Sequence, residues 1–150
     1  KKIISNNSSK RDSMINFSID ENPKALKRHR MTWRGGVARS YDPSAQDKKE
    51  FLMMAKKYAP KTPILGVISV RIEFYMPRPK NHYRTGKYSH LLKADAPMNH
   101  TGRPDIDNLL KFVMDALNGV FYKDDSQICQ VFTLKQYNTR PGTLVEIVEL

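Results

Sequence analysis

The sequence predicts an α+β fold in which two main helices pack on a small mixed β-sheet. Short apolar runs of strand length alternate with two stretches of helical spacing, and proline and glycine separate them. A chain of 150 residues can bury about two-thirds of its unfolded surface, which is enough for one ordinary core. We therefore expect one domain over 14–150, preceded by a polar, flexible arm over 1–13.

The first half of the domain is expected to supply a strand, a helix and a second strand. Residues 14–19 alternate well enough for a short strand. Asp42 and Pro43 indicate the start of a helix that runs to about residue 58, with Asp42 as its N-cap. Residues 64–76 alternate as a strand whose core-facing side chains are Ile68, Val70, Ile72, Phe74 and Met76.

The second half is expected to supply a long basic loop, a helix and a final hairpin. A loop as long as 77–103 is usually functional or disordered. Its three histidines lack the spacing of a metal site, and we interpret them as solvated loop residues: His82, His90 and His100. Apolar spacing predicts a helix over 107–118 that ends at Gly119. The runs 128–137 and 143–150 predict a β-hairpin.

The net charge of +11 favours an acidic partner such as nucleic acid. Residues 24–39 carry six Lys and Arg residues and no acid, with Trp33 among them and Gly35-Gly36 as a turn. Such a run suits a phosphate backbone and a stacked base, and the alternative is a solvated basic loop. The residues expected to bind DNA are Lys24, Lys27, Arg28, Arg30, Arg34, Lys80, Arg84, Lys87 and Arg103.

Other features of the sequence bound the class of protein. Cys129 is the single cysteine, so neither an internal disulfide nor a cysteine-based zinc site is expected. No apolar run reaches the roughly 18–20 residues of a membrane span, and the cations lie in loops, so no membrane partner is expected. We expect a cytoplasmic protein, and a targeting segment upstream of Lys1 stays open.

Carboxylates are concentrated in one short part of this basic chain. Five of its 15 acidic residues lie within 105–125: Asp105, Asp107, Asp115, Asp124 and Asp125. An extended segment would project Asp105 and Asp107 to one side and Ile106 into the core. Adjacent carboxylates repel unless a cation lies between them, and oxygen ligands suit Mg²⁺ or Mn²⁺. Asp125 is a candidate third ligand if the loop after the helix folds back.

Lys111 lies one helical turn beyond Asp107, where its ammonium can stabilise charge during phosphoryl transfer. The same residues also have a structural interpretation. Asp107 can cap the helix or form an i,i+4 pair with Lys111, and Asp124-Asp125 can be turn residues. Spacing alone leaves both interpretations open.

Three segments resemble the core signature of the RusA family of Holliday junction resolvases: 103–111, 114–119 and 122–128. The basic element 27–30, followed by Tyr41 and Pro43, is similar to the amino-terminal part of many members. The resemblance spans about 14–148. Pro104 stands directly before Asp105, where some members have a basic residue, and Arg103 lies one position away. The segment before Asp124-Asp125 varies in length among members, so their relative register is open.

The resemblance implies a RusA-like fold, a two-fold homodimer and Mg²⁺-dependent cleavage of four-way DNA junctions. It matches Asp105, Asp107 and Asp125 to the family's essential metal-binding acids and Lys111 to its catalytic lysine. Asp124 is a further candidate metal ligand, and Asp115 is expected to have a supporting role. The alternatives are a nuclease of the same fold that acts on flaps or other branched DNA, and a non-catalytic basic DNA-binding protein.

Overall fold

The structure, a computed structural model, describes residues 14–150, and the predicted arm over 1–13 lies outside this range. A four-stranded mixed sheet has the order β1-β6-β4-β5. Its strands are β1 Met14–Ile19, β4 Ile68–Pro77, β5 Ile128–Asn138 and β6 Gly142–Glu149. The other elements are the strands β2 Arg30–Arg34 and β3 Val37–Tyr41 and the helices α1 Ala45–Ala55 and α2 Ile106–Leu117. The predicted α+β class, with two helices and a small sheet, is confirmed.

The core lies between one face of the four-stranded sheet and the two helices. The five core-facing side chains predicted for β4 are all buried, because its alternation places them on the helix side of the sheet. The α2 side chains Leu109, Phe112, Val113, Ala116 and Leu117 are buried against them. An edge-to-face contact between Phe51 and Phe112, with ring centroids 5.9 Å apart, joins α1 to α2.

The predicted hairpin between the last two strands is wrong. β5 and β6 do not pair with each other, because β4 lies between them, parallel to β5 and antiparallel to β6. The register pairs Pro77 with Asn138 and Tyr75 with Gly142. The short linker therefore crosses over the end of β4 instead of turning back on its own strand.

The basic segment 24–39 is not a loop throughout, because most of it forms the two strands and the turn of a second sheet. β2 and β3 pair as a separate two-stranded hairpin. Its tip is the predicted Gly35-Gly36 turn, in which both glycines have positive φ values of 58° and 76°. Two-residue hairpin turns of this kind favour glycine because other residues are strained there.

The first helix begins slightly later than the sequence predicts. Ser44, not Asp42, is the N-cap residue, and α1 runs from Ala45 to Ala55 before one 3₁₀ turn at Lys56–Tyr58. Asp42 lies in the preceding turn, where its carboxylate accepts a hydrogen bond from the backbone N–H of Ser44 at 2.8 Å. The Ser44 hydroxyl instead accepts from the backbone N–H of Lys27, which fixes the basic segment to α1.

The long connection between β4 and α2 is held by backbone hydrogen bonds. Its end pairs with β5, where the N–H of Tyr137 donates to Met98 and the N–H of His100 donates to Lys135. This pairing brings the acidic stretch to the outer edge of β5. Within residues 14–150, no helix is long and apolar enough to cross a membrane.

Candidate active site

Asp105 occupies the N-cap position of α2. Its backbone is extended, with φ −69° and ψ 145°, and Ile106 is already helical. The expectation of an extended segment from Asp105 to Asp107 is therefore wrong, because α2 starts at Ile106, one residue before the predicted start at Asp107. Ile106 is half-buried and is not part of the apolar core of the described residues. The carboxylate of Asp105 makes no capping hydrogen bond within the described chain.

Asp107 and Lys111 lie one turn apart on the exposed side of α2. The Lys111 Nζ is 4.0 Å from the Asp107 carboxylate, and their side chains are 61% and 64% exposed. The i,i+4 ion pair between Asp107 and Lys111, which the structural interpretation of the sequence expects, is thus present. Solvent screens such exposed pairs, so its net contribution to the stability of the fold is small. The contact leaves both groups accessible to a substrate from the solvent side.

Lys135 on β5 anchors the backbone that leads into Asp105. Its Nζ donates to the carbonyl oxygens of Gly102 at 2.7 Å and Pro104 at 2.8 Å. The predicted site did not include Lys135, because its position beside these residues depends on contacts across more than 30 residues of sequence. The alternation of β5 gives no signal for this role.

The chain after α2 packs against the segment that enters β4 and brings Asp125 near Asp115, and within 14–150 Asp125 does not form a three-carboxylate group with Asp105 and Asp107. Phe121 and Tyr122 are buried. The N–H of Ile64 donates to the carbonyl of Phe121, and the carbonyl of Ile64 accepts from the N–H of Lys123, so these two bonds flank Tyr122. The Gln127 amide donates to two backbone carbonyls, of Ile64 and Gly66, each at 2.8 Å. These contacts fix the 3₁₀ turn Asp125–Gln127 against the segment that enters β4.

Asp124 and Asp125 have different surroundings, although they are adjacent. Asp124 forms a capping box, in which its carboxylate accepts from the N–H of Ser126 at 3.1 Å and Gln127 accepts from its N–H at 2.8 Å. The Ser126 bond holds the pKa of Asp124 below its usual value. Desolvation raises the pKa of Asp125, followed by its interaction with Asp124 and the charge of Asp115. Asp124 is committed to the turn, whereas Asp125 is a carboxylate crowded by like charge.

Asp115 connects the two helices. The Lys48 ammonium on α1 lies 3.9 Å from its carboxylate and also pairs with Asp42. Hydrogen bonding from Lys48 lowers the pKa of Asp42. A single lysine thus bridges the turn before α1 and the last turn of α2, which suits a supporting position for Asp115.

The predicted metal ligands fall into two groups. Asp105 and Asp107 lie at the N-terminal end of α2, whereas Asp124 and Asp125 lie beyond its C-terminal end, where the charge of Asp115 also acts on Asp125. No three carboxylate, imidazole or thiol side chains in 14–150 are close enough together to hold a metal ion. The donor chemistry still fits a hard divalent cation, since every candidate ligand is a carboxylate.

Cations border the N-terminal end of this site. Arg28 and Arg103 line an open groove with Pro104, Asp105 and Asn108. The backbone N–H of Leu26 donates to the Asn108 carbonyl at 2.9 Å, which holds the basic segment against the first turn of α2. The groove therefore combines two guanidinium groups with the Asp105 carboxylate, an arrangement that suits a phosphate beside a cation site.

Two of the predicted DNA-binding lysines have acidic neighbours in space. Lys24 lies 3.2 Å from Asp47 and 3.7 Å from Glu50, and Lys27 lies 3.9 Å from Asp47. The hydrogen bond to Asp47 raises the pKa of Lys24. The expectation that the basic run is uncompensated is thus wrong at its start, because α1 supplies the acids. No acid in 14–150 forms an ion pair with the later arginines of the run: Arg28, Arg30, Arg34 and Arg39.

The remaining predicted DNA-binding residues lie in the long loop. Lys80 and Arg84 line a shallow concavity together with Lys93. Lys87 is exposed and its ammonium lies 5.1 Å from the ring centre of Tyr88. The loop thus presents several cations to solvent at a distance in sequence from the acidic stretch.

Two of the three loop histidines are packed, not solvated. The rings of His82 and His100 lie 4.7 Å and 4.8 Å from the ring of Tyr137, because the loop is paired to β5. The Nδ1 atom of His100 is buried without a hydrogen-bond partner in the described chain. His90 is exposed, as predicted. Packing at His82 and His100 fixes the loop shortly before Asp105.

Comparison with known proteins identifies the family. Residues 20–148 match the family model described as Endodeoxyribonuclease RusA. This chain belongs to the RusA family of endodeoxyribonucleases. The match covers both helices and every strand except β1, and it includes every residue of the candidate site. The family resemblance predicted from the three sequence segments is therefore confirmed.

A curated relative extends the comparison over nearly the full length of the chain. It is the uncharacterized protein YqaN of Bacillus subtilis (strain 168), which is 34% identical over 139 residues. The alignment covers 91% of this chain and 96% of YqaN. Membership of the RusA family makes the chain a nuclease.

Proposed function

We propose that this chain is a metal-dependent endodeoxyribonuclease that resolves four-way DNA junctions. The observation that carries the proposal is the acidic set around α2 in a member of the RusA family. The chain's net charge is +11, yet Asp105, Asp107 and Asp125 gather about one helix, with Lys111 beside Asp107. A site that combines carboxylates with cations suits hydrolysis of a phosphodiester.

Asp105, Asp107 and Asp125 would hold Mg²⁺, or Mn²⁺ in its place, and Asp124 has one further carboxylate oxygen to offer. Because no three acids of 14–150 lie close enough together for this, the two groups of carboxylates would have to approach each other when the ion binds. The bound ion would polarise the scissile phosphate and lower the pKa of the attacking water. Desolvation, and then the neighbouring Asp124 and Asp115, raises the pKa of Asp125, and a bound cation would offset the repulsion from these two acids. Crowding of Asp125 by like charge supports a cation requirement at this position.

The chain's own cations would position the phosphate and stabilise its charge. Arg28 and Arg103 flank the groove beside Asp105, where their guanidinium groups can bind phosphate oxygens. The exposed ammonium of Lys111 can donate to a non-bridging oxygen as negative charge develops in the transition state. In this in-line reaction, the water oxygen bonds to phosphorus as the bond to the leaving sugar oxygen breaks.

We propose that two copies act together as a two-fold homodimer. A four-way junction has two-fold symmetry, so a symmetric dimer can present one site to each of two opposed strands. Paired nicks by the two sites would separate the junction into two duplexes. The loop cations Lys80, Arg84 and Lys87 would contact the arms through their phosphates.

Cleavage of a synthetic four-way junction with and without Mg²⁺ tests the proposal. We expect metal-dependent nicking by the wild type, and Asp107→Asn should abolish it while junction binding persists. The matched control is Asp20→Asn, which removes an exposed acid outside the site. Full cleavage by Asp107→Asn would refute the assignment of the site.

Substrate comparison tests the specificity. Four-way junctions, flaps and linear duplexes of matched length should be cut in that order of preference. Equal or faster cutting of flaps would instead indicate a broader branched-DNA nuclease. Binding without cleavage of any substrate in Mg²⁺ or Mn²⁺ would indicate a non-catalytic DNA-binding protein.

A further inference from the structure

The β2–β3 hairpin exposes apolar side chains that the core does not use. Its strands are not paired with the four-stranded sheet, and nine of its ten strand residues are exposed. Trp33 is 73% exposed and Met31 is 60% exposed. Exposed apolar side chains that lie together on one surface often mark a binding site, whereas single ones do not.

The hairpin has two chemically different faces. Residues directly opposite each other in an antiparallel pair lie on the same face, and faces alternate along each strand. The pairs Trp33–Ala38 and Met31–Ser40 form an apolar face. The pairs on the other face carry all three arginines of the strands: Arg30–Tyr41, Thr32–Arg39 and Arg34–Val37.

The base of the hairpin lies beside the candidate active site. Arg28, two residues before β2, lines the groove that contains Asp105. The Leu26–Asn108 hydrogen bond fixes the preceding segment to the first turn of α2. A strand bound at the carboxylates is therefore adjacent to the point from which the hairpin departs.

Charge determines which partner fits this surface. No acidic residue occurs between Glu21 and Asp42, so the hairpin is purely cationic. A second copy of a chain with a net charge of +11 would bring like charges together. Nucleic acid is complementary to both faces of the hairpin, since phosphates bind arginine and the face of an unstacked base packs on tryptophan.

We propose that the hairpin inserts at the branch point of DNA, where Trp33 stacks on an unpaired or unstacked base. Arg30, Arg34 and Arg39 bind the adjacent phosphates from the opposite face. This inference rests on the proposed branched-DNA nuclease and assigns it a recognition element separate from the carboxylates. Intact duplex offers no exposed base face, so Trp33 favours branched over linear DNA.

Trp33 is the only tryptophan of the chain, so its fluorescence reports on the hairpin directly. The test titrates the full chain in EDTA with a four-way junction and with a linear duplex of equal length. Fluorescence anisotropy of labelled DNA measures how much of each substrate is bound, so that quenching by the junction and by the duplex is compared at equal occupancy. We expect strong quenching of Trp33 by the junction and weak quenching by the duplex.

Single substitutions distinguish stacking of Trp33 on a base from nonspecific electrostatic attraction to DNA. Trp33→Ala should reduce the ratio of junction affinity to duplex affinity by roughly tenfold or more, and Trp33→Phe should restore much of it, since one stacked base typically supplies such an effect. Arg34→Ala should instead weaken both complexes alike and reduce the salt dependence by about one phosphate. Met53→Ala, which truncates an exposed apolar residue on α1, is the matched control and should leave the ratio unchanged.

The outcomes distinguish this inference from the proposed function. Junction cleavage with unaltered Trp33 emission at saturation, or an unchanged affinity ratio in Trp33→Ala, overturns the inference alone. Absence of wild-type cleavage of any branched DNA removes the proposed function. A change in Trp33 emission that depends on protein concentration without DNA indicates a second copy on the hairpin and also overturns the inference.

Discussion

The hydroxyl of Tyr122 donates a hydrogen bond of 2.6 Å to the backbone carbonyl of Met114. Met114 lies in the last turn of α2, where carbonyl groups lack the usual helical partners. The bond therefore closes the end of the helix and fixes the returning chain three residues before Asp125. Burial raises the pKa of Tyr122, so the hydroxyl stays protonated and remains a donor.

Tyr122→Phe is expected to destabilise the fold by about 1 kcal/mol, because it leaves a carbonyl without its partner and keeps the packing of the ring. Urea denaturation measures this loss. If the bond also positions Asp125, the Mg²⁺ concentration for half-maximal cleavage should rise. Tyr88→Phe, at an exposed tyrosine of the long loop, is the matched control and should alter neither quantity.

Asp125→Asn should raise the melting temperature in the absence of divalent ions while abolishing cleavage. The raised pKa means that the folded state disfavours the ionised carboxylate, so stability falls as the pH rises above the unfolded value of about 3.8. At neutral pH, asparagine removes that charge from the neighbourhood of Asp124 and Asp115. Differential scanning fluorimetry in EDTA, with a junction cleavage assay, measures both effects.

Asp124→Asn is the matched comparison for Asp125→Asn. Asparagine also accepts a capping bond, so it should retain the turn and most of the activity. Asp124→Ala removes the cap and should cost about 1 kcal/mol. Loss of cleavage in Asp124→Asn together with normal cleavage in Asp125→Asn would reverse the roles assigned to the two acids.

The sequence predicts correctly those helices and strands whose apolar pattern lies within one short segment. The strict alternation of β4 gave its buried face, and the apolar spacing with Gly119 gave α2 to within one residue at each end. The positions of Asp105, Asp107 and Lys111 follow from α2 alone. The candidate acids were thus accessible from the sequence because one helix orders most of them.

Non-local pairing explains the errors. The linker at 139–141 is compatible with a hairpin or with a crossing over β4, and only the partners of β4 decide between them. The ion pairs from Lys24 to α1 join residues distant in sequence, and so do the hydrogen bonds from Lys135 to the backbone carbonyls of Gly102 and Pro104. The hairpin of β2 and β3 is indicated by the sequence, because two adjacent glycines between short alternating runs favour a two-residue turn.

Stability should decrease below neutral pH because of His100. Desolvation, and then the charge of Lys135, lowers the pKa of His100 below its usual value of 6.5. His100 therefore binds a proton more readily in the unfolded chain than in the folded one. Its contribution to the free energy of unfolding is fully present above pH 6.5 and is lost as the pH falls below that value. The lowered pKa of Asp42 acts in a separate window, below about 3.8.

Melting temperatures between pH 7.5 and about 5.5 test the role of His100. The wild type should melt at lower temperature as the pH falls, and His100→Gln should flatten this dependence. His90→Gln, at an exposed position in the same loop, is the control and should retain the wild-type slope. A wild-type slope in His100→Gln would assign the pH dependence to other groups.

Lys135→Met should reduce cleavage by weakening the hold on Asp105, because it removes both bonds from the ammonium to the carbonyls of Gly102 and Pro104. The aliphatic part of the side chain is retained, so β5 should remain paired. We expect a higher Mg²⁺ requirement, with a smaller change in the rate at saturating Mg²⁺. Lys135→Arg, which keeps the charge and the donors, should recover part of the loss.

Lys49→Met removes an exposed charge on α1 and controls for the reduced net charge of the variant. It should leave the Mg²⁺ requirement unchanged. Junction affinity measured in EDTA separates a DNA-binding role of Lys135 from its effect on Asp105. If Lys135→Met lowers that affinity and leaves the Mg²⁺ dependence at the wild-type value, Lys135 contacts DNA instead of positioning the carboxylate.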